Sequence, residues 1–459
     1  MSALIRPLVR SAVPLVGASL CVTVALALSA PLAAQAPAGR PANGAPRLRL
    51  SSDGRSYAVF GGQLRERVEG WRGFDFGVPD TTPHDDVFAL TRVRLSADLH
   101  LGGNVRLFAE VKSALATNRR LVGGERTSDV DDPDLHQGYL ELSGRPLRRG
   151  GATASRIGRQ ELALGRERLV SALDWSNVRR SFDGISVTRT RGPRTVTAFL
   201  VRPVLQQKNR FNRWDDHTAF FGAYSTFENP VRQGRMDVYW LGLTRDAATF
   251  NGTAGAEQRQ TVGVRLTGGA GRRGDYDVET AYQFGRLGGE PISAWMVASQ
   301  FGRRFGTGTA APRLYAGFDY ASGDKASGGS VQTFNQLFPL AHAYFGYVDL
   351  VGRQNIVDAS GGLQWAVRAP FAVQVDGHRF WRASGGDALY RAGGTPVARP
   401  GTSASKDVGY ELDVTLRYPA NRHMLASAGY SRFFPGTWVK ETGPSKPVEF
   451  AFFSLQYTM

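Results

Sequence analysis

Beyond residue 56, charged and apolar side chains alternate with period two in one segment after another. Arg92, Arg94, Ser96, Asp98 and His100 face one way, and Val93, Leu95, Ala97, Leu99 and Leu101 the other. In the segment before it, Gln63, Arg65, Arg67 and Glu69 oppose Leu64 and Val68. Period two is the signature of a strand, because successive side chains leave opposite faces of the sheet. A soluble sandwich alternates too, but it has no reason to gather charge on one face of strand after strand and branched aliphatics on the other. A polar lumen inside a lipid-facing wall does. No convincing amphipathic helix interrupts the pattern.

The alternation resolves into about eighteen segments of ten residues or so, the length a tilted strand needs to cross a bilayer. They begin near Tyr57, Phe88, Val105, Leu135, Arg156, Phe182, Thr195, Thr218, Met236, Arg259, Tyr276, Ser293, Arg313, Ile356, Phe371, Val408, Met424 and Val448. The even count suits a single-chain bacterial barrel with both ends on the periplasmic side. Connector lengths test this independently, since such barrels pair short periplasmic turns with longer outer loops. The even connectors Gly102-Gly103-Asn104, Gly192-Pro193-Arg194, Ala369-Pro370 and Pro419-Ala420-Asn421 are tight. The odd ones, Arg72 to Val87, Thr117 to Asp134, Arg166 to Arg180, Pro203 to His217, Ser322 to Asn355 and Ala383 to Asp407, are long, with only Gly288-Gly289 brief. The expected fold is therefore all-β, a transmembrane antiparallel up-and-down barrel in the bacterial outer membrane.

The ends agree with export. Arg6 and Arg10 precede an uncharged Val-, Leu- and Ala-rich run from Ala12 to Ala34, followed by small residues at Ala33, Ala34 and Ala36. This is the layout of a cleavable signal peptide, expected over residues 1–36, with a flexible segment at 37–54 and the barrel at 55–459. A permanent anchor would not be followed at once by Pro37, Gly39, Pro41, Asn43 and Gly44. The single cysteine, Cys21, lies inside the apolar run, so the mature chain is expected to hold neither a disulfide nor a thiolate metal site. At the other end Phe453, Leu455, Tyr457 and Met459 form one apolar row. It resembles the C-terminal signal for outer-membrane insertion, with Met459 where Phe is commonest, and implies a barrel-assembly machinery as partner during biogenesis.

Formal charge is +16, and losing Arg6 and Arg10 leaves roughly +14 on the exported chain, an excess that favours anionic partners. Export and the lack of any nucleic-acid motif exclude nucleic acid and leave anionic solutes, membrane lipid and lipopolysaccharide phosphates. An eighteen-stranded barrel is expected to leave an aqueous channel, so its inward charges matter. Besides Arg65, Arg67, Glu69, Arg92 and Arg94, the inward rows hold Arg106, Glu110 and Lys112; Gln137 and Glu141; Arg259 and Arg265; Asp277 and Glu279; Asp376, His378 and Arg382; and Glu411, Asp413 and Arg417. Rings of arginine favour anions, and opposed carboxylates hold the guanidinium forks in place. The competing reading is that these charges pair across strands and only brace the wall.

The stretch Arg156-Ile157-Gly158-Arg159-Gln160, with Gly165, Arg168, Trp175, Asn177, Arg180, Phe182, Asp183 and Gly184 behind it, resembles the signature region of the alginate-export family of outer-membrane porins. Arg65, Arg67 and Glu69, the His136-Gln137 and Tyr139 to Glu141 stretch, the Phe334 to Asn355 segment with His342, Gly346 and Asp349, and Asp376, His378 and Phe380 are similar to the same family. The resemblance implies an arginine-rich constriction that passes an acidic polysaccharide outward with neither energy input nor cofactor, and it carries pore roles onto Arg65, Arg67, Arg159 and Asp183. The chain departs from it at Pro419 to Arg422, a short turn where the family's alginate porin carries a long periplasmic loop as a plug. That keeps open a general small-anion or oligosaccharide porin, with a barrel enzyme or receptor a more distant third reading.

Three tempting motifs read better as ordinary structure. Asp129, Asp131, Asp132 and Asp134 suggest a calcium loop, but Pro133 stands where a ligand should be, so a solvated loop is expected. His84, Asp85 and Asp86 read as a charged loop tip. Trp240, Trp295, Trp365 and Trp381 read as interface girdles or packing. No convincing Ser, His and acid set points to hydrolysis.

Overall fold

A computed structural model describes residues 47–459 except 78–81, 145–150, 209, 229–233, 272, 309 and 369. The expected signal peptide, Cys21, the first part of the expected flexible segment and Ala369 lie outside the described residues. Within the remainder of that segment, Arg47–Arg49 adds a short antiparallel strand to Tyr57–Val59.

Eighteen long strands follow in chain order: β1 (Tyr57–Arg72), β2 (Asp86–Leu101), β3 (Val105–Ala116), β4 (Asp131–Gly144), β5 (Ala152–Gln160), β6 (Phe182–Arg191), β7 (Arg194–Leu205), β8 (Thr218–Glu228), β9 (Gly234–Phe250), β10 (Thr253–Ala270), β11 (Gly274–Leu287), β12 (Glu290–Arg304), β13 (Arg313–Ala321), β14 (Ile356–Arg368), β15 (Phe371–Arg382), β16 (Asp407–Pro419), β17 (Met424–Pro435) and β18 (Val448–Thr458). Each pairs antiparallel with the next, and β18 pairs back onto β1 from Gln63↔Thr458 to Arg72↔Glu449, so the sheet closes without an edge. Closure is what a spanning sheet requires, because lipid offers no partner for a bare backbone edge. Leu64, Val68, Leu95, Leu107 and Val111 are exposed outside while Arg65, Arg67, Arg92, Arg94, Glu110 and Lys112 are buried inside, as the alternation demands. Phe453, Leu455, Tyr457 and Met459 all lie on the outward row.

The strand expected near Arg259 begins six residues earlier, at Thr253. Asn251 and Gly252, with φ of 42° and 88°, make a two-residue turn that lets β9 and β10 continue pairing up to Phe250↔Thr253. Two positive-φ residues in succession match the right-handed twist of a hairpin, and Asn-Gly adopts them readily. Gly288-Gly289 is therefore not the only brief outer connector.

The larger departure is inside. The outer half of the barrel is filled rather than open. Leu162, Leu169 and Val170 from the loop after β5, and Phe334, Phe345, Val348, Leu350 and Val351 from the loop after β13, join one buried cluster with wall residues Phe182, Phe220, Met296, Phe380 and Phe450. Such apolar content cannot stay in water: burying each large side chain contributes about 1.5–3 kcal/mol. Leu389 and Val397 from the loop after β15, and Trp438 and Val439 from helix α1 (Thr437–Thr442), cap the same cluster.

In two acidic stretches expected to be solvated, Asp129, Asp131, Asp134 and Asp86 are buried, while Asp132 and Asp85 are exposed and His84 is half-buried. Asp129 takes the Arg126 guanidinium at 2.8 Å, Lys112 sits 3.0 Å from Asp131, and Asp134 accepts the Asn212 N–H. Asp86 accepts the backbone N–H groups of Arg120 and Leu121, fixing the start of the next outer loop. An unpaired buried carboxylate is costly, so each of these is engaged.

Candidate functional site

The lumen at mid-height has two walls of opposite sign, each gripping one infolded loop. On the basic side, β1 and β2 alternate so that Arg65, Arg67 and Arg92 share the inner face, buried under residues 161–181. Arg65 donates to the carbonyls of Asp174 (2.8 Å) and Ser176 (3.0 Å), and Arg92 donates to the same two at 3.0 and 3.1 Å. Arg67 donates to the Trp175 carbonyl at 2.6 Å and pairs with Glu69 at 2.8 Å. Three consecutive carbonyls are thus held by three guanidinium groups, whose rigid forks suit this task. Arg92 also holds the Asp174 carboxylate at 2.9 Å, and Asn177 donates to the carbonyls of Thr91, Leu115 and Asp129.

On the acidic side, β15 and β16 turn Asp376, His378, Glu411 and Asp413 inward beneath residues 322–355. Here the polarity of the contact reverses. Val348 N–H donates to Glu411 at 2.9 Å and Tyr347 N–H to Asp413 at 3.4 Å. Gly346, at φ 81°, lies so close to the wall that a Cβ there would stand 2.2 Å from Glu411 Oε1. His378 Nδ1 sits 3.0 Å from Asp358, while Tyr315 and Gln374 donate to Asp376.

The two loops meet in the middle of the lumen. Phe338 N–H donates to the Leu169 carbonyl and Ser171 N–H to the Phe338 carbonyl, a short parallel bridge between them. The Trp175 and His342 rings stack at 3.8 Å, and the Arg67 guanidinium lies 4.0 Å from the Trp175 ring centre. Arg168 reaches across to Asp277 and Glu279 on β11, both at 2.9 Å, so the 161–181 loop spans the barrel. On the periplasmic side of this plug a cavity of about 70 Å³ is lined by Arg65, Arg67, Arg417, Trp175, Tyr347 and small polar residues including Ser427, Ser454 and Gln456.

The other expected pore residues form ion pairs along the inner wall. Arg94 clasps Glu110 at 2.7 Å, Arg106 meets Asp98 at 2.7 Å and Glu141 at 3.5 Å, and Glu141 also takes Arg156 at 2.6 Å. Arg259 pairs with Glu257, and Arg265 bridges Asp237 and Asp277, all at 2.7–2.8 Å. Arg159 and Asp183 require correction. Their unbroken register, Ile157↔Ile185 then Arg159↔Asp183, keeps them on the row of Ile157 and Ile185, which are 51% and 47% exposed on the outer face. The Arg159 guanidinium holds Asp183 at 2.8 and 2.9 Å and the Asn212 carbonyl at 3.0 Å, so it fastens the outer loop 206–217 rather than lining the lumen.

Glu110, His136 and Glu161 converge closely enough to suggest a metal centre. Their surroundings oppose it: Arg94 is bonded to Glu110, and Arg179 grips Glu161 at 2.6 and 2.8 Å. Burial would raise the Glu161 pKa, yet Arg179, His136 and Arg94 together hold it well below the usual carboxylate range. A dication here would face two guanidinium groups already neutralising its ligands.

Asp174, Arg168, Tyr347 and Arg353 carry the plug but do not appear among the expected site residues. Their signal in the sequence is apolar content: Leu162, Leu164, Leu169 and Val170, and Phe338, Leu340, Phe345 and Leu350, are too hydrophobic for outer loops in water.

A family model described as alginate export matches residues 56–452. No curated protein matches the sequence significantly. Among solved structures, OccK2 (OpdF) of Pseudomonas aeruginosa in complex with glucuronate superimposes with a TM-score of 0.58 at 10% identity, covering 88% of this chain and 98% of that one. OpdO of the same organism gives 0.55 at 15% identity, over 88% and 97%. OpdK with vanillate gives 0.57 at 11%, over 87% and 98%. At these identities the likeness establishes a shared barrel fold.

Proposed function

The chain belongs to the alginate-export family and is a porin of the bacterial outer membrane, and from that premise we propose that it passes anionic polysaccharide, such as a polyuronate, outward by passive diffusion. The observation that supports this reading is the cavity beneath the plug, where Arg65, Arg67 and Arg417 face Trp175 and Tyr347 on the periplasmic side. Arginine recognises carboxylates as a rigid fork, and an aromatic face suits the apolar side of a sugar ring. In this reading no bond is made or broken, no cofactor takes part, and lipopolysaccharide and the barrel-assembly machinery are partners of the wall rather than of the lumen. The plug must yield for a polymer to pass, and the 322–355 loop is the part that moves.

A second reading, a porin for small anions or single uronate units, draws support from the short turn at Ala420 to His423, where a periplasmic plug loop would otherwise stand. Single-channel recording in planar bilayers separates the two. A polyuronate added on the periplasmic side should give long current blocks that a neutral glucan of equal length does not. Blocks by neither polymer, with anion-selective current retained, would favour the second reading.

A further inference from the structure

The acidic wall carries more carboxyl groups than its neighbouring cations pair. On β13 to β16, Asp319, Asp358, Asp376, Glu411 and Asp413 all turn inward and are buried. The register sets Asp319 directly opposite Asp358 and Asp376 directly opposite Asp413. Like charges so placed destabilise a sheet unless something compensates them. Among the described residues the cations paired with these five carboxyls are Arg353, on Asp319, and His378, on Asp358. Asp376 is met by Tyr315 and Gln374, and Glu411 and Asp413 by loop N–H groups.

What remains is unsatisfied. Among the described residues no donor meets Asp358 Oδ1, Glu411 Oε2 or Asp413 Oδ2, in residues that are 0%, 0% and 1% exposed, and the Glu411 and Asp413 carboxyls lie within hydrogen-bond reach of each other. Asp413 borders a cavity of about 40 Å³ together with Asp319, Asp376, Tyr315, Gln300 and Gln374. That volume admits a small ion with a few waters. Arg168, His342 and His378 also border the cavity, but Arg168 is engaged by Asp277 and Glu279, His378 by Asp358, and His342 through Nδ1 by Asp349. The lining is rich in carboxylate, amide and phenol oxygen, the donor set of hard cations, and offers no thiolate.

The structure assigns to this cavity a hard divalent cation of the calcium class, seated between the acidic wall and the 322–355 loop with water completing its shell. By cancelling charge beneath Tyr347 and Val348, the ion holds the loop against β16. The contrast with Glu110, His136 and Glu161 is instructive: there arginines already neutralise both carboxylates, whereas here, among the described residues, Glu411 and Asp413 are met by loop N–H groups and by no paired cation.

The test uses the mature barrel refolded in detergent, free of lipopolysaccharide and stripped with a chelator, so it reads binding without any solute flux and stands apart from the transport reading. Equilibrium dialysis with radiolabelled calcium should show saturable binding of one ion per chain, weakened about tenfold or more by Asp413→Asn, the scale typical of disturbing a metal's ligand shell. Calcium should also raise the melting midpoint of the wild type but not of Asp413→Asn. Should that variant fail to refold, Asp376→Asn and the calcium-induced shift of the carboxylate infrared band in the wild type serve instead. Absence of saturable calcium binding to the wild type, or equal binding by the variants, overturns the site and leaves shared protons as the compensating charge.

Discussion

The tips of the two infolded loops are held by opposite chemistry and with unequal thoroughness. The 161–181 loop presents carbonyls, and Arg65, Arg67 and Arg92 answer with five hydrogen bonds of 2.6–3.1 Å to three consecutive residues. The 322–355 loop presents N–H groups, and Glu411 and Asp413 answer with one bond each, at 2.9 and 3.4 Å, leaving carboxylate oxygens unpartnered. Hydrogen bonds to charged groups contribute about 1.5–3 kcal/mol each, so the 174–176 tip of the first loop is anchored several times over, whereas the 347–348 tip of the second has two such bonds and its firmer anchors lie on its flanks, at Arg353 on Asp319 and at Asn335 on Gln283. Segments that move are drawn from the less stable parts of a fold. The comparison therefore casts the 161–181 loop as fixed frame and the 322–355 loop as gate.

The largest effect should follow from breaking the frame. Arg92→Ala removes a fully buried guanidinium from the half-buried Asp174 carboxylate and from two loop carbonyls and should cost about 3–5 kcal/mol, the range for breaking a buried pair. Glu411→Gln keeps an acceptor for Val348 N–H while removing an unpaired charge, so it should cost about 1 kcal/mol or less. Urea unfolding of the refolded barrel measures both, and equal losses would erase the asymmetry.

The gate can be loosened sterically. Gly346→Leu introduces a Cβ 2.2 Å from Glu411 Oε1 at a residue with φ 81°. Strain of about 1–3 kcal/mol at such a position corresponds to roughly a 5- to 150-fold shift in the population of the detached loop. Open-channel probability in planar bilayers should rise accordingly while the barrel still folds. Unchanged current would show that the loop does not obstruct flow.

A smaller effect distinguishes lumen from wall. Arg65→Gln with Arg67→Gln should lower the anion-to-cation permeability ratio, because fixed charge in a narrow pore acts over a Debye length of about 8 Å. Arg159→Gln should leave that ratio unchanged and instead loosen the 206–217 loop, raising protease cleavage there. A selectivity change with Arg159→Gln would return that residue to the lumen.

The strands and their faces were legible because period-two alternation is a local property: Arg92 to Leu101 declare their sides without reference to any other segment. The family resemblance carries Arg159 into the pore, whereas the alternation counted from Ile157 puts it outside. The plug was not legible in the same way. Its contacts join residues far apart, Arg92 with Asp174 and Glu411 with Val348, and irregular loops carry no period. Only the apolar content of the two loops signalled burial, and nothing in it said where. The unequal clamp emerges from the register, which brings Asp376 opposite Asp413 and leaves carboxylates in excess.

The account turns on whether the 322–355 loop must part from the 161–181 loop for polymer to enter. Val170 and Phe338 form a parallel bridge between the loops, the bridge geometry lies within reach of a disulfide, and residues 47–459 contain no cysteine to compete. In Val170→Cys with Phe338→Cys, recorded in a planar bilayer with polyuronate on the periplasmic side, the oxidised channel should show no long polymer blocks, and reduction should restore them. Identical block frequency in the two redox states would contradict a gate formed by this loop.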